Sequence, residues 1–75
     1  MTQTVLTVPD ISCDHCARTV TNALSPLEGV ARVAVDVPAK RVTVEHDPAR
    51  VDVAKMSAVL ADEDYPVASS ESAAL

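Results

Sequence analysis

The chain has 75 residues, a length that fits one small domain and leaves no room for a separate catalytic domain or lid. Apolar residues make up 48% of it, but Phe and Trp are absent and there is a single Tyr, so the core must be aliphatic. Eleven acidic residues against six basic ones give a formal net charge of −5. This charge disfavours binding to nucleic acid and favours a basic protein partner.

The amino-terminal residues have neither the basic start nor the long apolar stretch of a signal peptide. No segment approaches the roughly 20 apolar residues that a membrane-spanning helix needs. We therefore expect a cytoplasmic protein that does not insert into a membrane. In the cytoplasm cysteine thiols stay reduced and remain available to metal ions.

The first predicted strand covers residues 4–8, which are rich in β-branched side chains and are followed by a Pro-Asp pair. An amphipathic helix is predicted from Cys16 onward, because apolar residues recur there at helical spacing. Pro26 is expected to keep Ser25 out of helical geometry, and Gly29 marks the exit towards a second strand. The apolar side of this helix consists of Ala17, Val20, Leu24 and Leu27.

A hairpin is predicted next, from strands at 30–37 and 41–45 in which valines alternate with other residues around a Pro-containing turn. Asp52 is expected to cap a second helix, and Val51 and Met56 occupy the two positions of a hydrophobic staple. The residues of this helix expected to face the sheet are Val53, Met56, Val59 and Leu60.

A short final strand is predicted at 65–68, and residues 69–75 are expected to form a flexible C-terminal tail because they are small and mostly polar. Residues 1–68 are assigned to one domain. The resulting order is βαββαβ, which favours an α+β, ferredoxin-like sandwich with a four-stranded antiparallel sheet and two helices on one face.

Chain direction locates the chemistry within this fold. The loop after the first strand, the hairpin turn and the segment after the second helix all lie at one end of such a sandwich. Tyr65 is therefore expected beside the first loop, whereas His46 is expected at the opposite end.

Cys13 and Cys16, the chain's only cysteines, stand two residues apart between the first strand and the first helix. Thiols at this spacing can point at one atom, and the helix amides and dipole favour their thiolate forms. Thiolates are soft ligands suited to Cu(I) or Zn(II). With two strong ligands the site favours transport over storage, because an incoming thiolate can still reach the ion.

These features together resemble the heavy-metal-associated domain of small bacterial copper chaperones and copper-ATPase modules. The resemblance covers residues 3–68 and lies in Cys13-Asp14-His15-Cys16, Gly29-Val30 and Tyr65. It implies Cu(I) bound by Cys13 and Cys16. It also implies delivery to the cytosolic metal-binding domain of a copper-transporting P-type ATPase.

Three positions bear on how closely the chain follows the family. Ile11 stands where the family usually has a Met that supports the loop from the core, so Ile is expected to replace it as packing. Asp64 stands where the family favours Gly, so the loop beside the metal is expected to be stiffer or differently shaped. Ser12 stands where related zinc-exporting modules place a carboxylate, which favours copper.

His15 and Tyr65 are auxiliary residues of the predicted site. His15 is either an exposed residue of the first helical turn, a third ligand, or a bridge between two copies of an otherwise monomeric protein in a metal-linked dimer. Tyr65 is expected to cap the edge of the core, to shield the site, or both. Asp10 or Ser12 can cap the first helix.

Other functions stay open at this point. A Zn(II) or Hg(II) carrier would use the same fold and the same thiols. A dithiol oxidoreductase would need a nucleophilic and a resolving thiol and usually a larger, thioredoxin-like scaffold. An interaction domain would bind its partner without metal. Arg18 and Lys40 either offset the thiolate charge or are solvated.

Overall fold

The computed structural model describes residues 1–74. Its elements are β1 (Thr2–Thr7), α1 (Asp14–Leu24), β2 (Val30–Asp36), β3 (Arg41–His46), α2 (Val53–Asp62) and β4 (Ser69–Ala74). The strands form one sheet in the order β2-β3-β1-β4, with antiparallel pairing between each pair of neighbours. The predicted α+β ferredoxin-like sandwich is confirmed. Within residues 1–74 no helix is long and apolar enough to cross a membrane.

The core lies between the sheet and both helices, and it is aliphatic, as the composition requires. Successive side chains of a strand point to opposite faces, so alternate residues of β1 and β3 enter the core. The residues between them, such as Val5, Thr7 and Thr43, line the open face of the sheet. The fully buried apolar core residues are Leu6, Val8, Ile11, Val20, Leu24, Val42, Val44, Met56 and Leu60.

The start of α2 follows the sequence prediction. The Asp52 carboxylate accepts a hydrogen bond from the Lys55 backbone N–H at 2.8 Å, which caps the helix. Val51 and Met56 are both buried on the two sides of this cap, in the positions of the predicted staple.

Both ends of α1 differ from the prediction. Cys13 itself occupies the N-cap position and makes no side-chain cap hydrogen bond, so the caps predicted from Asp10 or Ser12 are wrong. Ser25 is helical, with φ −57 and ψ −37, although it precedes Pro26. Its backbone N–H donates to a carbonyl one turn earlier at 2.9 Å, and this bond outweighs the steric bias imposed by the proline.

The last strand begins at Ser69 instead of Tyr65, so the strand predicted at 65–68 is wrong. The earlier residues are held by other bonds: the Tyr65 N–H donates to the Leu60 carbonyl, and the Ala68 N–H donates to the Thr7 carbonyl, both at 2.8 Å. The small residues placed in the predicted tail instead pair with β1 along six registered positions. Leu75, the last residue of that predicted tail, lies outside the described residues.

Three residues of the described chain have positive φ. Gly29, between α1 and β2, has φ 96, and a Cβ there would lie 2.7 Å from the Arg50 Cβ, so only glycine fits. Lys40 and Asp64 have φ 57 and φ 68 and lie at the opposite end of the molecule. We call this end the cysteine pole; it comprises residues 8–16, the 37–40 turn and residues 62–65.

Candidate metal centre

The two cysteines lie at the cysteine pole, at the start of α1. Cys13 has extended backbone geometry, with φ −158 and ψ 174, and Cys16 lies in the first helical turn. Their sulfur atoms are 3.6 Å apart. Cys13 is exposed, whereas Cys16 is 8% exposed and packs with the core. The pair therefore combines one sulfur that solvent or a partner can reach with one that is sheltered.

The surroundings of Cys16 favour its thiolate form. A hydrogen bond from the Tyr65 hydroxyl is the main cause that lowers the pKa of Cys16 from 9.0 to about 6. The Ser12 backbone amide lowers this pKa further, burial opposes the shift, and the side chains of Cys13 and Ser12 contribute smaller decreases. The Ser12 hydroxyl oxygen lies 3.9 Å from the Cys16 sulfur. At neutral pH this sulfur is predominantly an anion.

Tyr65 shows the reciprocal effect. Its pKa is raised from 10.0 to about 12, chiefly by its hydrogen bond to Cys16, so the phenol remains a donor throughout the neutral range. The half-buried ring also packs against the core, as expected for a residue at the core edge. Its role towards a bound metal stays a prediction.

Ile11 anchors the loop that carries the cysteines. Its side chain is fully buried in the core, which confirms that Ile11 supports the loop by packing. Its backbone N–H donates to the Val8 carbonyl at 3.2 Å, and its carbonyl accepts from the Lys40 Nζ at 2.8 Å. Within the cysteine pole, Lys40 therefore links the hairpin turn to the loop that carries the cysteines.

The two histidines lie at opposite ends. His15 is exposed in the first turn of α1, where its carbonyl accepts from the Thr19 hydroxyl at 3.1 Å. Metal ligation by His15 stays a prediction. His46 is 1% exposed and is held between the Thr4 hydroxyl at 2.7 Å and the Val51 carbonyl at 3.0 Å, away from the cysteines.

Sequence reasoning missed the contribution of Ser12 and left that of Lys40 undecided. The sequence predicts Ser12 only as a possible helix cap, although its position four residues before Cys16 is a signal that the two side chains can meet. No local signal pointed to the bond between Lys40 and Ile11, which are 29 positions apart in the chain. Within residues 1–74, no three or more His, Cys, Asp or Glu side chains are placed to hold one ion.

A ferredoxin-like sandwich with two cysteine sulfurs at the start of its first helix is the arrangement that the sequence resemblance predicted. The chain matches the model of the heavy-metal-associated domain over residues 5–65. It belongs to this family, as the sequence motifs predicted.

Two relatives and one solved structure are similar to this chain over most of its length. The chain is 39% identical to a copper chaperone, CopZ, of Staphylococcus haemolyticus over 67 residues, which cover 89% of this chain and 98% of the relative. It is 41% identical over 66 residues to the periplasmic component of a mercuric transport system of Pseudomonas aeruginosa, covering 87% of this chain and 72% of the relative. The solved structure of a CopZ metallochaperone superposes with a TM-score of 0.83 at 34% identity, covering 87% of this chain and 97% of the other.

Proposed function

We propose that the chain is a copper chaperone that binds Cu(I) through the Cys13 and Cys16 thiolates and transfers it by ligand exchange. The receiver is a metal-binding domain such as the cytosolic one of a copper-transporting P-type ATPase. The observation that carries this proposal is the pair of sulfurs 3.6 Å apart, one exposed and one sheltered, at one pole of the domain. The alignment with a copper chaperone over 98% of that protein's length supports it.

The site chemistry suits a mobile ion. Metal–thiolate bonds are about 2.3 Å long, so sulfurs 3.6 Å apart can both contact one ion. Cys16 is predominantly a thiolate at neutral pH, so it binds metal with little competition from protons. A thiolate of the receiver then joins as a third ligand, and the exposed Cys13 is the ligand that leaves first.

In this proposal the chain binds and delivers a metal and is not an enzyme. It acts in the cytoplasm, where both thiols stay reduced. Tyr65 holds the metal-free Cys16 thiolate by a hydrogen bond, and His15 stands near the site without being a required ligand. The chaperone is a monomer, and a shared metal ion between two Cys13–Cys16 pairs would give a bridged dimer.

A second candidate is a carrier of Hg(II). The observation in its favour is the 41% identity to a mercuric transport component. Hg(II) also binds pairs of thiolates, so the copper and mercury proposals use the same two sulfurs. A Zn(II) carrier is less favoured, because zinc sites commonly complete four ligands and Ser12 offers no carboxylate.

The test is an anaerobic titration of the purified protein with Cu(I), Hg(II) and Zn(II) against competing chelators, with native mass spectrometry to give stoichiometry. We expect one Cu(I) per chain. Cys13→Ser and Cys16→Ser should each bind Cu(I) at least about a hundredfold more weakly, because an alcohol is a poor ligand for a soft ion. Asp14→Asn, between the two cysteines, is the matched control and should bind normally. Preference for Hg(II) or Zn(II) at matched free-metal levels, or undiminished binding by the serine variants, would overturn the copper proposal.

A further inference from the structure

The open face of the sheet, which points away from the helices, is accessible, because each of its residues is exposed or half-buried. The strand register places these residues in three rows that cross β2, β3, β1 and β4 in that order. Neighbours within a row are about 4.8 Å apart, and the rows are about 6.8 Å apart. We call them the first, middle and last rows, counted from the cysteine pole. The rows are Asp36, Arg41, Thr7 and Ser69, then Ala34, Thr43, Val5 and Glu71, then Arg32, Glu45, Gln3 and Ala73.

Opposite charges occupy the first and last rows in reversed order. The first row begins with acidic Asp36 on β2 and basic Arg41 on β3. The last row begins with basic Arg32 on β2 and acidic Glu45 on β3, which lie 4.0 Å apart. One oxygen of Asp36 accepts from the Ala39 N–H at 3.2 Å. Within residues 1–74, Arg41 belongs to none of the ion pairs, so its exposed charge is available to a partner.

This charge pattern is complementary to itself under a two-fold rotation. If the axis crosses the strands along the middle row, the first row of one copy faces the last row of the other. Asp36 then faces Arg32 of the second copy, and Arg41 faces Glu45 of the second copy. Each contact occurs twice, which gives four pairs of opposite charge. A two-fold axis along the strands, with all four strands overlapping, opposes no such pair, so the pattern selects one arrangement.

The middle row suits close contact between two sheets. Ala34, Thr43 and Val5 would face their own counterparts in the second copy, and none of them is charged. Sheets that pack face to face lie about 10 Å apart, a distance that small and β-branched side chains can fill. Glu71 is the exception, because it would face itself at the β4 edge, where like charges repel. The arrangement thus predicts one repulsive contact beside the four attractive ones.

The contact area limits the strength of such a dimer. Four strands and three rows at these spacings cover about 19 Å by 20 Å, so the two copies together bury on the order of 800 Å². Stable complexes usually bury about 1,200 Å² or more, and each exposed ion pair contributes little. The dimer should therefore be weak and should coexist with the monomer.

We propose that the open face is a docking surface for a second copy of this chain, in a two-fold dimer with Asp36 against Arg32 and Arg41 against Glu45. The axis crosses the strands, so the two cysteine poles point to opposite ends and stay accessible. A dimer bridged by a metal ion would instead bring the two poles together. The open face contains no cysteine, so this inference does not depend on the proposed function.

The first test is sedimentation equilibrium of the metal-free, reduced protein from about 10 μM to about 1 mM at low salt, with a dissociation constant of about 0.1–1 mM expected. Cys13→Ser should dimerise as the wild type does, because Cys13 lies outside the open face. Chemical shifts followed by NMR should change with concentration at the open face. A monomer at every concentration, or shifts confined to the cysteine pole, would overturn the inference.

Charge reversal tests the pairing itself. Arg41→Glu and Glu45→Arg each oppose like charges twice, so each alone should dimerise about tenfold more weakly or worse. An equimolar mixture should recover the wild-type affinity, because both contacts between the two variants then join opposite charges. Lys55→Gln, at an exposed position of α2, is the control and should dimerise normally. Failure of the mixture to recover would exclude the proposed axis.

Glu71→Gln gives an independent check at an exposed position, in a variant that keeps all four attractive pairs. It removes the contact between like charges, so the dimer should become about two- to fivefold tighter. An unchanged or weaker dimer in this variant would show that the two copies do not meet along the middle row.

Discussion

The sulfur of Cys16 is surrounded by groups from separate parts of the chain. Tyr65 reaches it from the segment after α2, and Ser12 reaches it from the loop before α1. Each hydrogen bond stabilises the negative charge of the thiolate, and together they outweigh the opposing effect of burial. The charge state of the candidate ligand is therefore set by neighbours that come from separate parts of the chain.

Tyr65→Phe tests this arrangement, because it removes the main hydrogen bond and retains the ring that packs on the core. We expect the pKa of Cys16 to rise from about 6 towards its ordinary 9.0. At neutral pH the Cys16 thiol of the variant would then have to release a proton when it binds metal. The Cu(I) affinity of the variant should therefore be lower than that of the wild type at neutral pH and should recover as the pH is raised. The measurement is a pH titration of thiolate ultraviolet absorbance in a metal-free Cys13→Ser background, where Cys16 is the remaining thiol.

Stability should report the same shift. Because the pKa of Cys16 is lower in the folded state than its ordinary value, the metal-free protein should become more stable as pH rises from about 6 to 9. This gain should be lost as pH falls through about 6. It should be smaller in Tyr65→Phe and absent in Cys16→Ser. An unchanged thiolate titration in Tyr65→Phe would contradict the assigned role of the phenol.

Residue-scale features differed in how far the sequence could predict them. The cysteine pair follows from local spacing, and the position of Tyr65 follows from the direction of each element. The Lys40 bond depends on the path of a long side chain across the fold, which no pattern of neighbouring residues records. The contact between the Ser12 hydroxyl and the Cys16 sulfur depends on the direction in which the serine side chain points.

At the scale of elements, hydrophobic periodicity predicted β1, both helices and the hairpin, because each of them buries one side. β4 carries no such pattern: its sequence is Ser-Ser-Glu-Ser-Ala-Ala, and each of its residues is exposed. Its position is set by backbone hydrogen bonds to β1, which do not depend on side-chain type. The sequence-based boundary at residue 68 therefore falls just before a strand of the sheet.

Truncation after Ala68 tests whether β4 contributes to the fold. The shorter chain would leave one edge of β1 without its partner and would remove the Ser72 hydroxyl that bonds to the buried Thr4 hydroxyl at 2.8 Å. We expect the free energy of unfolding to fall by about 2 kcal/mol or more, measured by urea denaturation. A chain that ends at Ala74 keeps the whole strand and is the control. Equal stability of the chain ending at Ala68 would instead support a dispensable tail.

At the scale of the molecule, the chain has a net charge of −5, and acidic residues are concentrated around the proposed exchange site. Five exposed acidic residues belong to the cysteine pole, against one exposed lysine, Lys40, whose ammonium donates to the Ile11 carbonyl. A receiving domain with a basic docking face would be attracted to this surface. The exposed acidic residues of the pole are Asp10, Asp14, Asp62, Glu63 and Asp64.

Charge steering predicts that copper transfer slows as salt is added. Between about 0.01 M and 0.15 M ionic strength the Debye length shortens from about 30 Å to about 8 Å, so attraction between the approaching surfaces is screened. We expect the bimolecular rate constant for transfer, measured by stopped-flow mixing, to fall about tenfold or more over this range. The equilibrium affinity of the protein alone for Cu(I) should change far less, because in the proposed complex its thiolates contact the ion directly.

Charge variants assign the salt effect to the cysteine pole. The double variant Asp62→Asn, Glu63→Gln should show a weaker dependence on salt, since it removes two negative charges beside the site. Glu71→Gln, on the open face of the sheet, removes one charge from a surface that docking at the cysteine pole leaves uncovered, and it should keep most of the wild-type dependence. A transfer rate that does not respond to salt, or an equal response to both changes, would show that docking depends on shape and ligand exchange without electrostatic steering by this pole.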